Sequence, residues 1–174
     1  MILKNILKNI TICEIKYMLK IPKVINMLGV KLTPINSLAL SAYLRWPNND
    51  RLPPNGGWDW SSWVKDYRKK HPKRFEAAIW FGGNLCGLLL GRMSGKNIHV
   101  RLEVLEGSTD INHPLKGRIA YISLSSVEMF GYILGAKESR IIDPVDGAVN
   151  SYKKLGYVLF PSSNDQPRYL AKTL

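Results

Sequence analysis

Apolar and polar residues along the 174-residue chain fall into short stretches of distinct period. Residues 1–23, MILKNILKNITICEIKYMLKIPK, place Ile, Leu and Met every third or fourth position among lysines and predict an amphipathic basic helix. Val24–Leu32 reads as a first strand. Ser37–Trp46 has a helical apolar period, with Pro34 and Ser37 as start signals. After the turn-rich PNNDRLPPNGG, Asp59–His71 predicts a second helix, with Asp59 as N-cap and Trp60, Trp63, Val64 and Tyr67 on one stripe. Phe75–Phe81 and Leu85–Met93 flank Gly82-Gly83-Asn84 as a hairpin, and His99–Leu105 follows as a third strand of a meander. A long helix is expected over Leu115–Leu134, stopped by Gly135. Residues 138–145 (ESRIIDPV) read as a strand, Gly147–Leu155 as a short helix ended by Gly156, and Tyr157–Phe160 and Arg168–Lys172 as last strands.

The element order is strand, helix, helix, three strands, helix, strand, helix, strand, strand. A meander followed by strand–helix–strand predicts an α/β (α+β) fold: a mixed, mostly antiparallel central sheet flanked by helices. We expect one domain over residues 24–174, with residues 1–23 as an appendage packed on it through its apolar stripe; lying on a membrane or binding acidic partners is the alternative.

Composition adds one unusual quantity. Hydrophobic residues (45%) and charged residues (22%) are ordinary for a globular protein, which excludes a disordered or fibrous chain. Lys and Arg number 25 against 13 acids, a formal charge of +12. That excess attracts phosphate esters, nucleic acid or acidic lipid without choosing among them. Cys13 and Cys86 stand apart with no CxxC pair, so the sequence predicts neither a disulfide framework nor a cysteine zinc site, and a cytoplasmic location is the default. His71, His99 and His113 lack metal-type spacing, no G-x-S-x-G elbow occurs, and no metal is expected. No apolar run is long enough to span a bilayer, and the N-terminal stretch lacks the features of a signal peptide.

Two segments carry candidate chemistry. In Pro114-Leu115-Lys116-Gly117-Arg118, cations sit at the expected start of a helix, the end that favours anions, and a glycine leaves the backbone approachable. Such a start suits a bound phosphate; a surface loop with two basic residues is the plainer reading. The second segment is Ala148-Val-Asn-Ser-Tyr152-Lys-Lys-Leu-Gly156-Tyr157. It resembles the C-terminal signature of the Gcn5-related N-acetyltransferase superfamily, an alanine followed four residues on by tyrosine-x-lysine-leucine-glycine-aromatic. The element order is similar to that superfamily's over roughly residues 24 to 160.

The resemblance implies an acyl-CoA N-acyltransferase fold and direct transfer of acetyl from acetyl-CoA to a primary amine in a ternary complex. It assigns Tyr152 as the acid that protonates the departing thiolate. It assigns cofactor binding to Leu105 on the strand and to Lys116, Gly117, Arg118, Ile119 and Ala120 at the pyrophosphate loop. Ile119 stands where the family's loop has a second small residue, and Ala120 takes that place if the register shifts by one. The base that deprotonates the amine is expected to be a strand carboxylate, Glu103 first and Glu106 second. Positions three apart on a regular strand face opposite ways. One bulge, which the family's fourth strand normally carries, would turn both to one face. A catalytically degenerate basic relative that binds nucleic acid or a protein partner stays open, as does a homodimer.

Overall fold

The computed structural model describes residues 29–47 and 50–174. The expected helix over 1–23, most of the Val24–Leu32 strand and Cys13 lie outside the described residues. Seven strands form one sheet in the order β1-β2-β3-β4-β5-β7-β6. They are β1 (Val30–Thr33), β2 (Arg74–Phe81), β3 (Asn84–Met93), β4 (His99–Gly107), β5 (Glu138–Ile142), β6 (Val158–Phe160) and β7 (Tyr169–Thr173). The four described helices are α1 (Ser37–Tyr43), α2 (Trp60–Lys70), α3 (Ile119–Ile133) and α4 (Asp146–Lys154). Every neighbouring pair is antiparallel except β4 and β5, which run parallel around the α3 crossover. This is the mixed sheet that the element order predicts.

Two apolar clusters sit on opposite faces of the sheet. One joins α1 and α2 (Ala39, Tyr43, Trp60, Val64, Tyr67) to Leu88, Leu90 and Val104. The other joins α3 and α4 (Ile122, Val127, Phe130, Val149, Tyr152) to Leu89, Val100, Leu102 and Ile141. Alternation along each strand therefore feeds two half-cores, so the central strands read as nearly continuous apolar runs. Asp59 caps α2, accepting from the Ser62 N–H at 3.1 Å, whereas α1 is capped by Asn36, accepting from Ala39 N–H at 3.0 Å. The helix thus starts at Ser37 as expected, with Asn36 as its cap, and ends at Tyr43, short of the expected Trp46.

The long helix differs more. It runs Ile119–Ile133, and residues 115–118 form turns in which Lys116 N–H donates to His113 O and Arg118 N–H to Leu115 O. Gly117 adopts φ +75°, incompatible with a continuing right-handed helix. Apolar period alone extended the helix through Leu115, because Leu115 is buried as a helical residue would be.

Candidate functional site

The sheet divides where β4 meets β5. The two strands pair only over His99–Leu102 and Glu138–Ile141. Beyond that point β4 continues to Gly107 on β3 alone, while β5 ends at Ile142 and Asp143 turns the chain away with φ +46°. The Asp143 N–H donates to Arg168 O rather than to β4. The β4 edge over residues 103–107 therefore has no strand partner on this side, and a cleft of about 200 Å³ opens there. Glu103, Leu105, Asp143 and Tyr152 line it, with Pro54 and Trp58 from the loop before α2.

A bulge sits at the fork. Leu90 pairs with Val104 but Gly91 pairs with Leu102, leaving Glu103 as the extra residue on β4. Val100 and Leu102 consequently pack toward α3, whereas Val104 packs toward α1 and α2. Gly91 makes this backbone approach sterically open, since a Cβ there would lie 2.6 Å from the Arg101 carbonyl oxygen. The bulge turns Glu103 and Glu106 to the same face, the one covered by α2.

The two carboxylates then diverge in role. Glu103 accepts from Arg92 Nε at 2.8 Å and from the Tyr67 hydroxyl at 2.9 Å, and its side chain keeps 20% exposure. Burial, together with the adjacent Glu103 charge, pushes the Tyr67 phenol well above its usual range, so Tyr67 remains a donor. The same Glu103 lines a second hollow of about 310 Å³ with Trp63, Asp66, Tyr67, Lys70 and His71. Thus one carboxylate faces both the strand cleft and a pocket under α2. His71, the C-cap of α2, packs edge-on against Tyr67 at 4.5 Å, and burial followed by Arg92 lowers its pKa, leaving it neutral at pH 7. Tyr67, His71 and Arg92 had no signal in sequence: they come from an apolar stripe, a helix end and a strand 11 residues away from Glu103.

Glu106 belongs to β4 and not to the following loop. Its side chain has 0% exposure and accepts from Trp60 Nε1 (2.6 Å), Gly57 N–H (2.8 Å) and Arg51 (2.9 Å). Arg51 also reaches Gly107 O at 3.0 Å, so the carboxylate fastens residues 51–60 to the end of β4. Glu106→Ala would strand a buried indole N–H and a backbone N–H, each costing about 1–3 kcal/mol. We expect a loss of about 3 kcal/mol in urea unfolding with an unchanged slope; an unaltered midpoint would refute this anchoring role.

Tyr152 is held by α4, whose Val149 and Tyr152 point into the sheet. Burial raises its pKa above the ordinary value, and its hydroxyl has no hydrogen-bond partner among the described residues. The neighbouring aromatic, Tyr157, is instead consumed by structure, donating to Glu128 of α3 at 2.9 Å and lying 2.8 Å from Ser139 Oγ.

Lys116, Gly117 and Arg118 are exposed at the start of α3, which has no side-chain cap and no acidic residue in its first turn. A Cβ on Gly117 would meet nothing within 4 Å, so the space beside its backbone is open. The Ile119 side chain packs over Gly87 and Gly107, and Ala120 is half-buried. The first-turn N–H groups of α3 have no intrahelical partners. Of the three tryptophans in the loop and α2, Trp60 is core, Trp63 is exposed, and Trp58 lines the cleft and stacks edge-on with Trp63 at 5.0 Å. Among the described residues no three His, Cys, Asp or Glu side chains cluster as a metal site, and no helix is long and apolar enough to cross a membrane.

No protein-family model matches the chain, and no curated protein matches it. Solved structures do. An acetyltransferase from Thermus thermophilus superposes with a TM-score of 0.60 at 16% identity, covering 84% of this chain and 98% of that one. A probable GNAT-family acetyltransferase from Chromobacterium violaceum gives 0.60 at 12%, covering 83% and 87%. PaiA N-acetyltransferase from Thermoplasma acidophilum, in complex with coenzyme A, gives 0.53 at 12%, covering 84% and 100%. At such identities the likeness is one of fold.

Proposed function

Starting from a chain with the fold of the Gcn5-related N-acetyltransferases, we propose that it transfers acetyl from acetyl-CoA to a primary amine. The observation that carries this reading is the fork between β4 and β5, where Glu103 and Tyr152 line one cleft from opposite faces of the sheet. A coenzyme A complex among proteins of the same fold supports the choice of donor.

The residues present suit an acyl-CoA. The cleft of about 200 Å³ along the unpaired edge of β4 has room for an extended thioester arm. Leu105 would lie along that arm. Lys116 and Arg118, with the open backbone at Gly117 and the first-turn N–H groups at Ile119 and Ala120, would hold the diphosphate, because a helix start and two cations favour negative charge. Bound acetyl-CoA supplies an activated carbonyl and a thiolate leaving group.

The chain's own groups do the proton work. Glu103 takes the proton from the acceptor ammonium, with Arg92 and Tyr67 fixing the carboxylate's orientation. The freed amine forms the C–N bond as the C–S bond breaks, the electron pair leaves on sulfur, and the new nitrogen releases its extra proton to solvent to become the neutral amide. The Tyr152 phenol donates to that sulfur. Because burial raises Tyr152 above a thiol's ordinary pKa of about 8.5, it shares its proton during bond breaking before a solvent proton completes the thiol. Glu106 has no free edge and serves as an anchor of the cleft wall, not as a second base.

Isothermal titration of the full chain with acetyl-CoA tests the reading. Saturable binding at one site is expected. Absence of binding, together with nucleic-acid affinity that falls steeply with salt, would replace it by a basic binding protein of the same fold.

A further inference from the structure

Three arginines stand side by side on the α2 face of the sheet. Arg92 of β3 pairs in register with Arg101 of β4, which pairs in register with Arg140 of β5. Adjacent strands lie about 4.8 Å apart, so the row crosses three strands in about 10 Å. Arg101 shares its strand face with Glu103, two residues on, at the closed end of the fork.

The outer two guanidinium groups are neutralised locally. Arg92 meets Glu103 at 2.8 Å, and Arg140 meets Glu138 while lying over the Tyr169 ring at 4.4 Å. Arg101 has no carboxylate partner among the described residues. Its Nε donates to His99 Nε2 at 2.8 Å. His99 adds no charge, because burial, Arg140 and Arg101 hold its pKa down to about 4. Its neutral ring nitrogen instead fixes the plane of the Arg101 guanidinium. The two terminal nitrogens of Arg101 have no partner among the described residues, and neither is an orphaned buried atom. A half-buried guanidinium crowded by two others, with its fork free, is unfavourable unless an anion completes it.

Resting on the proposed acetyl transfer, we infer that Arg101, flanked by Arg92 and Arg140, binds a carboxylate or phosphate carried by the acceptor. The acceptor class is then an amine that bears an anionic group, its nitrogen at Glu103 and its anion at Arg101. Cationic polyamines and hydrophobic arylamines are disfavoured by the same row. The pocket under α2 offers the entry, since Glu103 lines it together with His71 and Tyr67.

The test uses full-length chain with isotopically labelled arginine, titrated with inorganic phosphate, O-phosphoethanolamine and β-alanine, with ethanolamine as the anion-free control. The Arg101 Nε–H resonance should shift saturably with the first three and not with ethanolamine. A response to the phosphate compounds alone assigns a phosphate acceptor, a response to β-alanine alone assigns a carboxylate, and a response to all three means the site takes either anion. Arg101→Gln should weaken anion binding about tenfold or more. Arg101→Lys should recover part of it, because the charge stays and the fork is lost. Arg101→Gln should melt no lower than the wild type, since removing the central charge relieves repulsion. Acetyl-CoA titrations on the same samples separate the two ideas: saturable acetyl-CoA binding with a silent Arg101 overturns the anion site alone. An Arg101 response without acetyl-CoA binding overturns the transferase reading and leaves an anion site. Anion-induced shifts of the neighbouring Arg92 and Arg140 Nε–H resonances that persist undiminished in Arg101→Gln refute the assignment to Arg101.

Discussion

Tyr152→Phe is expected to lower turnover about a hundredfold while acetyl-CoA binds as before. The ring is buried in the α3–α4 half-core, so removing only the hydroxyl preserves packing, and no hydrogen bond within the described residues is broken. The loss therefore reports on donation to the departing sulfur. It falls at the low end for general-acid catalysis, because a phenol raised by burial parts with its proton less readily than an ordinary one. Release of CoA, followed by a thiol reagent with an amine that the wild type acetylates, measures it. Equal turnover in both proteins would remove Tyr152 from the mechanism and leave it a packing residue.

Glu103→Gln carries the second large effect, also about a hundredfold near neutral pH. Its signature is the pH dependence. An acceptor ammonium needs the carboxylate most when little free amine exists in solution. The deficit should narrow as pH rises toward the amine's own pKa, where solvent has already removed the proton. A deficit of constant size across that range would mean that Glu103 only orients the site. Thermal melting is the control, because the amide replaces one partner of Arg92 and Tyr67.

Both expectations depend on a geometry that local pattern foreshadows unevenly. The stripe Trp60, Val64, Tyr67 and the alternation through β4 are properties of neighbouring positions, and physics at that range is set by residues a few apart. The same holds for α4, where Val149 and Tyr152 lie three apart on its buried face and Gly156 at φ +90° ends the helix. Glu106 shows the limit. Nothing near it in sequence marks it as buried, since its partners Arg51, Gly57 and Trp60 lie 46 to 55 residues away.

The start of α3 teaches the same lesson in reverse. Leu115 continues the apolar period and is buried, yet Gly117 breaks the helix there, and the first turn begins two residues later. A burial pattern cannot distinguish a turn that tucks a leucine under a sheet from one more turn of helix.

By itself, then, the chain's sequence determined the order of strands and helices, the glycine-marked turns and the place of Tyr152 on a short helix. These follow from periodicity and backbone freedom, which act between near neighbours. Only the tertiary structure decided that β4 parts from β5 after Leu102, that a bulge against Gly91 turns Glu103 and Glu106 to one face, and that three arginines align beside them. Those outcomes depend on register between strands, and register is settled by contacts across the sheet that no single segment contains.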